Sequence, residues 1–173
     1  DFRAVVDGLA ARVDGGLSLM TDVICGFPGE TDDDFDATYA LVEDYAFGLI
    51  NISQFYARPG TPAASMKRVH TATVKDRSRR LSALTQTFRP YDGLVGTVVA
   101  CAAHAEVADG GARLVCHTKT YAKVLVPFDR SLVGARFEVR IAAAHRWHVD
   151  GVVLRVLREA NAAGRPALRD ALA

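Results

Sequence analysis

The residues whose types and spacing could bind a ligand first occur in a loop at positions 26–31, Gly-Phe-Pro-Gly-Glu-Thr. Its glycines let the backbone approach a ligand closely, and Glu30 can accept hydrogen bonds from a ribose hydroxyl or an amine. A second loop, Arg-Pro-Gly-Thr at 58–61, offers the forked guanidinium of Arg58 to a carboxylate. Tight turns without a ligand, and a surface ion pair for Arg58, are the open alternatives.

Each of these loops follows a mostly apolar run that predicts a strand. Loops at the carboxyl ends of neighbouring parallel strands lie on the same rim, which is where α/β folds bind ligands. The two loops are therefore predicted to share one site.

A third candidate is the segment at 117–123, His-Thr-Lys-Thr-Tyr-Ala-Lys, which joins two predicted strands. Lysine and threonine side chains bind phosphates and sugars, and a tyrosine ring can stack on a base. An exposed polar hairpin without a ligand is the alternative.

Metal and cluster chemistry has no comparable pattern. Cys25, Cys101 and Cys116 are separated by 76 and 15 residues, which excludes CxxC and CxxxCxxC motifs. All three are interpreted as buried small apolar residues. His145 and His148 are expected to flank a turn without partners. We predict no metal site and no catalytic residue in this chain.

The elements that position the first two loops have an α-β-α-β order. Apolar spacing indicates a helix over 2–13, and the runs at 17–27 and 49–56 indicate strands buried on both faces. Thr31 is placed to cap the intervening helix, whose first turn carries three aspartates. This order predicts a parallel α/β sheet of which these strands are only a part.

A basic helix is predicted over 71–88. Its apolar stripe comprises Val74, Leu81, Leu84 and Phe88, and its basic side chains are expected mostly off that stripe, namely Lys75, Arg77, Arg79 and Arg80. Pro90 and Gly93 mark a boundary after it.

Beyond residue 91 the pattern changes to short alternating runs. They occur near 94–103, 112–118, 121–126, 136–144 and 147–154. Five short strands in about 60 residues predict a small antiparallel barrel, similar in size to an OB-fold. The stretch at 157–173 is expected to be a loose tail.

Composition narrows the class of protein. Of 173 residues, 50% are apolar and 24% charged, which are globular proportions. Three cysteines cannot form a disulfide framework, and no apolar run reaches the roughly 18–20 residues needed to span a membrane. The chain starts with Asp1 and shows no signal peptide, so we expect a cytoplasmic fragment.

The charges are unevenly distributed. Residues 1–61 carry eleven acidic and three basic side chains, whereas residues 62–90 carry one acidic and seven basic. This split predicts different partners for the two stretches, and a basic stretch beside a β-rich module is compatible with nucleic acid. A solvated helix face is the alternative.

Three features in this order resemble the C-terminal half of radical-SAM methylthiotransferases that carry a TRAM domain. They are the stretches at 21–31 and 54–63, followed by a basic helix and a β-module, and the resemblance covers residues 1–156. The segment 117–121 followed by Val-Leu-Val-Pro at 124–127 is most similar to the eukaryotic and archaeal enzymes. Those enzymes add a methylthio group to threonylcarbamoyladenosine in tRNA, beside the anticodon.

The resemblance implies three parts. Residues 1–90 would be the C-terminal part of a radical-SAM partial TIM-type barrel, residues 91–156 an OB-like TRAM barrel, and 157–173 a loose tail. It implies S-adenosyl-L-methionine (SAM) and tRNA as partners. We expect a monomer without a membrane anchor in the tail.

The resemblance also implies site residues and two [4Fe-4S] clusters. The candidates for SAM binding are Gly26, Pro28, Gly29, Glu30, Gln54, Arg58 and Gly60. The candidates for tRNA binding are Arg113, His117, Lys119, Tyr121 and Lys123. The family's cluster cysteines lie in its N-terminal regions and have no counterpart here, so the whole protein is expected to be a transferase and this chain alone inactive.

Other functions are compatible with the sequence. One is a stand-alone RNA-binding module without catalysis. Another is methylthiolation of isopentenyladenosine in tRNA or of a ribosomal protein. An unrelated phosphate-binding α/β enzyme would need a lysine or a further glycine in the loop at 26–31, and neither is present.

Overall fold

A computed structural model describes residues 2–13 and 16–159 of the chain. It divides into two compact units. Ser18–Pro90 forms the α/β unit, and the other unit contains the barrel from Tyr91 onward together with helix α1 (Phe2–Ala10).

The α/β unit is built from two parallel strands and two helices. Along the chain these are β1 (Met20–Cys25), α2 (Asp32–Tyr45), β2 (Leu49–Gln54) and α3 (Thr71–Gln86), with a short 3-10 turn at Pro62–Ser65. The strands pair in register from Met20–Leu49 to Cys25–Gln54. The predicted parallel pairing of two strands around a helix is confirmed.

Both helices pack on the same face of this strand pair. The core there comprises Cys25, Phe35, Val42, Phe47, Val74 and Leu81, with Val23, Ile50 and Ile52 packed against it. On the opposite face Met20, Ile24 and Leu49 are 59%, 54% and 45% exposed. The prediction that both strands are buried on both faces is therefore wrong, since side chains alternate along a strand and the described helices cover only one face.

Helix α2 starts as predicted. The Thr31 hydroxyl accepts from the Asp34 N–H at 3.1 Å, and the Asp34 carboxylate accepts from the Thr31 N–H at 2.9 Å. This reciprocal capping box satisfies two backbone donors at the helix start.

Helix α3 uses one of its arginines in the packed interface. Arg77 is only 4% exposed, and its guanidinium pairs with Glu30 and with Asp32. Arg80 lies 3.4 Å from Asp36 and stacks over the Phe35 ring. The predicted placement of Arg77 off the apolar stripe is wrong, since it is buried on the same face of α3 as Val74 and Leu81. Its two carboxylate partners compensate for the burial of its charge.

Part of the acidic stretch forms ion pairs with part of the basic stretch inside the α/β unit. Acidic residues that begin α2 face arginines of α3, namely Asp32 with Arg77 and Asp36 with Arg80. The two stretches are partners of each other at these positions, in contrast to the expectation of separate partners.

The second unit contains a closed five-stranded barrel. Its strands are β3 (Val98–Ala108), β4 (Arg113–Thr118), β5 (Lys123–Pro127), β6 (Arg136–Ala144) and β7 (Val149–Arg158). They pair in the order β3-β4-β5-β7-β6, and β6 returns to β3. The interior is apolar and includes Leu114, Val124, Val126, Phe137, Val139, Ile141 and Val149.

The ends of the barrel strands differ somewhat from the sequence prediction. Strand β3 extends to Ala108, beyond the predicted run. Strand β7 continues to Arg158, so residues 157 and 158 of the predicted tail are strand residues, paired with β6 as far as Arg158. Residues 160–173 of that tail lie outside the described residues. Within the described part of the chain, no helix is long and apolar enough to cross a membrane.

Candidate cofactor rim and nucleic-acid interface

The two loops that follow β1 and β2 lie against each other. The Phe55 N–H donates to the Cys25 carbonyl at 2.8 Å, which continues the strand pairing by one residue. The rings of Phe27 and Phe55 meet edge to face with centroids 5.3 Å apart. The predicted sharing of one rim by the two loops follows from this parallel register.

Within the first loop, Glu30 is directed into the protein. Its carboxylate accepts from the Gly26 N–H at 2.9 Å and pairs with Arg77, and its side chain is only 13% exposed. Burial opposes the charge of Arg77, but the hydrogen bonds with Asp32 and Glu30 raise the pKa of the guanidinium. Glu30 therefore closes the loop and anchors it to α3.

The glycines of this loop have different surroundings. A Cβ at Gly26 would lie 2.4 Å from the Val74 side chain, and its φ is +83°. A Cβ at Gly29 would meet nothing within 4 Å, although its φ is +92°. Gly26 thus permits close packing of α3, whereas Gly29 leaves exposed backbone on the rim beside the buried Pro28.

The second loop borders an open cavity of about 480 Å³. Its lining is Ile24, Ser53, Gln54, Phe55, Tyr56, Arg58, Thr61 and Ala63. The Gln54 amide donates to the Ser78 hydroxyl at 2.9 Å, and the Arg58 carbonyl accepts from the Thr61 hydroxyl at 2.8 Å. The structure thus brings Gln54 and Arg58 together, with Gly60 in the turn between Arg58 and Thr61, while residues 26–30 lie beside the cavity and do not line it.

All three cysteines are buried, as predicted. Burial and the charge of Glu30 raise the pKa of the Cys25 thiol. The hydrogen bond with Cys101, followed by burial, raises the pKa of Cys116. All three thiols are buried and therefore lack the exposure that reactive cysteines need.

In the barrel, the polar segment at 117–123 forms a tight turn between β4 and β5. The Thr118 hydroxyl accepts from the Ala122 N–H at 3.0 Å, and the Thr118 carbonyl accepts from the Tyr121 N–H at 3.0 Å. Tyr121 adopts a left-handed φ of +65° and is 69% exposed. These hydrogen bonds fix the backbone of Tyr121, whose ring lies on the surface.

His117 links that turn to β3. Its ring contacts the rings of His104 and Tyr121, with centroids 5.1 Å and 5.0 Å apart. Burial, together with the neighbouring His104, lowers the pKa of His117. A neutral half-buried imidazole is suited to supporting the Tyr121 ring, whereas it cannot supply positive charge to a phosphate near neutral pH.

The three cations of the tRNA-binding prediction have different surroundings. The Arg113 guanidinium pairs with Asp109 and Asp150. Lys123 lies 3.6 Å from Glu106. Lys119 is exposed, forms no ion pair with the described residues, and borders a cavity of about 550 Å³ together with His117 and Arg136. Lys119 is thus the candidate with the greatest freedom to bind a phosphate.

The sequence interpretation missed a cluster at the start of β7. The rings of His145 and His148 stack with centroids 4.5 Å apart, and His145 Nε2 lies 2.9 Å from an Asp150 oxygen. The expectation that these histidines lack partners is wrong, because the turn folds both of them onto Asp150. The spacing His-x-x-His-x-Asp was the available signal.

The ligand atoms of these three side chains lie within 4.8 Å of one another, which is close enough for them to share a metal ion. Burial opposes ionisation of Asp150, but the hydrogen bond with His145 and the charge of Arg113 lower its pKa. Because Arg113 already pairs with this carboxylate, a second cation would meet electrostatic repulsion. The cluster is better explained as a brace for the β6–β7 hairpin.

A relative from Drosophila melanogaster, named threonylcarbamoyladenosine tRNA methylthiotransferase, is 42% identical over 154 residues, which is 89% of this chain and 28% of the relative. The relative of the same name from Xenopus laevis is 44% identical over 151 residues, 87% of this chain and 27% of the relative.

A third relative, from Corynebacterium jeikeium, is named tRNA-2-methylthio-N(6)-dimethylallyladenosine synthase. It is 41% identical over 99 residues, 56% of this chain and 19% of the relative. None of the family models scanned matches the chain. The first two comparisons show that this chain is homologous to a segment of the threonylcarbamoyladenosine tRNA methylthiotransferases and spans 28% and 27% of their length.

Proposed function

We propose that this chain is part of a methylthiotransferase that modifies threonylcarbamoyladenosine in tRNA, in the cytoplasm and as a monomer. Within that protein it supplies the tRNA-binding barrel and one rim of the SAM pocket. The observation that carries the proposal is the 42–44% identity to relatives of that name over 87–89% of the chain.

The α/β unit is proposed to be the C-terminal part of a radical-SAM partial barrel. Support comes from its parallel strand pair, whose open face carries Asp22, Asn51 and Ser53 on the side opposite the helices. In a barrel of this type the helices lie outside and the opposite face of the strands points inward. The five-stranded closed barrel supports the assignment of residues 91–158 to a TRAM-like module.

The residues beside the second loop fit SAM. Arg58 is exposed at a cavity and can pair with the carboxylate of SAM, while Gln54 at the same cavity can exchange hydrogen bonds with its polar groups. Gly29 and Gly60 leave open space above the backbone for a ligand. Gly26, Pro28 and Glu30 act in this proposal by shaping the loop. When bound, SAM supplies the radical chemistry that the family resemblance implies.

Iron–sulfur clusters do not fit the residues of this chain. Its three cysteines are buried, with Cys25 in the α/β unit and Cys101 and Cys116 in the barrel core. A [4Fe-4S] cluster needs several thiolates around one centre. The described cysteines therefore cannot serve together as the ligands of one cluster.

The barrel is proposed to contact tRNA through its β4–β5 turn. Lys119 and Tyr121 are exposed there and can bind a phosphate and stack on a base. Lys123 adds a second, partly paired cation, while Arg113 and His117 support the surrounding structure. The bacterial relative leaves dimethylallyladenosine as a second possible substrate, although it covers only 56% of the chain.

A chimera tests the proposed activity. This chain replaces the matching segment of the Drosophila melanogaster relative, and 2-methylthio-threonylcarbamoyladenosine is measured in tRNA by mass spectrometry. We expect modified nucleoside with the parent sequence and a strong loss with Arg58→Ala. Arg68→Ala serves as the matched control, because Arg68 is exposed in the same unit and does not line the cavity. A folded chimera without modified nucleoside would contradict the proposal.

A further inference from the structure

The hairpin between β6 and β7 carries an aromatic ring that no sequence motif had marked. Trp147, the sole tryptophan of the chain, is 51% exposed at its tip. The guanidinium of Arg146 lies over the indole, 4.3 Å from the ring centroid. An exposed ring can stack on a flat ligand, and the adjacent cation attracts negative charge, so the pair suits a flat, anionic ligand.

This hairpin lies at the same end of the barrel as the β4–β5 turn. Strands β5 and β7 are parallel and pair at Val124–Val149, so the turns that precede them emerge at one end. The charge of Lys123 contributes to the environment of His148, which is consistent with that proximity. The two most exposed rings of the barrel, Tyr121 and Trp147, therefore share this end.

Each of the two rings lies on a turn that is held in place by contacts among its neighbouring residues. His145 and His148 stack on each other and onto Asp150, whose carboxylate also pairs with Arg113 of β4. On the other turn, the Thr118 hydrogen bonds hold Tyr121 in its left-handed conformation. Turns held in place before binding lose less conformational entropy when a ligand arrives.

We infer that Tyr121 and Trp147 form a two-ring platform on which unpaired RNA bases stack, with Lys119 and Arg146 binding the adjacent phosphates. The inference rests on the proposed function, since tRNA is the polynucleotide that this barrel would meet. Exposed rings select single-stranded loops because the faces of bases in a duplex are already stacked. A duplex would engage the cations alone.

Trp147 itself reports the binding. Because it is the sole tryptophan, the fluorescence of the full 173-residue chain comes from this ring when excitation is set beyond the absorption band of the five tyrosines. We expect a single-stranded RNA nonamer to quench that fluorescence, and a duplex of the same sequence to bind without comparable quenching. Binding is measured in parallel by anisotropy of a dye on the RNA, which registers complexes whether or not bases stack.

Variants separate stacking from charge. Stacking is worth about 1–3 kcal/mol per base, so Trp147→Ala and Tyr121→Ala should each weaken single-strand binding about 5- to 150-fold. Trp147→Phe should restore part of the affinity, which distinguishes loss of a stacking ring from misfolding. Met66→Ala is the control, because Met66 is a large apolar side chain of the α/β unit that is 45% exposed and lines neither cavity, so its loss should leave affinity unchanged.

The outcomes distinguish this inference from the proposed function. RNA binding without quenching, with unchanged affinity in Trp147→Ala, would overturn the platform and leave tRNA binding by the barrel intact. Equal affinity for duplex and single strand, with no quenching by either, would do the same. Absence of binding to both forms and to tRNA would overturn the platform and the proposed tRNA-binding role together.

Discussion

In the barrel every strand pairs with two neighbours, whereas β1 and β2 of the α/β unit pair only with each other within the described residues. The barrel core is apolar and enclosed. The strand pair instead has one covered face and one face with Met20, Ile24 and Leu49 exposed. Unpaired strand edges and exposed apolar side chains favour association with other protein segments. We therefore expect the stability of the α/β unit, more than that of the barrel, to depend on contacts with further segments.

The two units also differ in how they use charge. The α/β unit places a charged pair, Arg77 with Glu30, in its packed interface, whereas the barrel keeps its ion pairs near the surface, as with Arg155 and Glu138. Breaking a buried pair leaves an uncompensated charge and costs far more than losing an exposed one. We therefore expect single substitutions to change the stability of one unit and not of the other. Helical circular dichroism reports mainly on α2 and α3, and Trp147 fluorescence reports on the barrel.

The largest expected effect is at Arg77. Arg77→Met leaves the Glu30 carboxylate buried without its partner, and we expect the α/β unit to lose about 3–5 kcal/mol of stability. Urea unfolding followed by circular dichroism at 222 nm should show this loss. Arg79→Met is the control on the same helix, since Arg79 is 75% exposed and should change stability by less than about 0.5 kcal/mol. Equal effects of the two changes would refute the buried-pair interpretation.

A smaller loss is expected at Gly26. Gly26→Ala places a methyl group 2.4 Å from the Val74 side chain at a left-handed φ of +83°. Overpacking of this kind costs about 1–3 kcal/mol. The helical signal should unfold at lower urea concentration while the Trp147 transition stays in place. A wild-type midpoint would mean that α3 can shift freely away from the loop.

The barrel has a corresponding glycine with looser surroundings. A Cβ at Gly151 would lie 3.0 Å from the Val124 side chain and 3.2 Å from that of Val139. We expect Gly151→Ala to cost about 1 kcal/mol, at the lower end of overpacking. Here the Trp147 transition should move while the helical transition does not. A shift of both transitions together would show that the two units do not unfold independently.

The smallest effect is the pH dependence of the barrel. Burial lowers the pKa of His117 and of His148, with His104 and His145 acting in the same direction. Because the folded state favours the neutral imidazoles, their contribution is fully present above the unfolded pKa of about 6.5 and is lost as pH falls below it. The urea midpoint from Trp147 fluorescence should be lower at pH 5.5 than at 7.5, and less so in His117→Asn. A midpoint independent of pH would contradict this explanation.

Much of the fold could be predicted from sequence because its signals are local. The capping box at Thr31 and Asp34, the alternation at 136–141 and the helical spacing at 71–86 each fix an element over a few residues. What escaped prediction depends on contacts distant in sequence. No residue near Arg77 in the sequence indicates that Glu30, 47 residues away, will pair with its guanidinium and so permit its burial.

In the candidate sites too, features with local signals could be predicted, and features that depend on distant contacts could not. The loops on the rim were found from glycine and proline spacing, yet the inward orientation of Glu30 required the position of α3. Trp147 was missed because an isolated tryptophan in a turn carries no pattern. Its significance depends on the parallel pairing at Val124–Val149, which brings two distant turns to one end of the barrel.

The measurement that tests the central claim most directly is the salt dependence of tRNA binding by the 173-residue chain. If the barrel is the polynucleotide-binding unit, Lys119→Ala should weaken binding and make the logarithmic salt slope shallower by about 0.7–0.9. Lys75→Ala, an exposed lysine of α3, should leave both unchanged. An unchanged slope for Lys119→Ala together with a shallower one for Lys75→Ala would place the interface on the α/β unit and contradict the account.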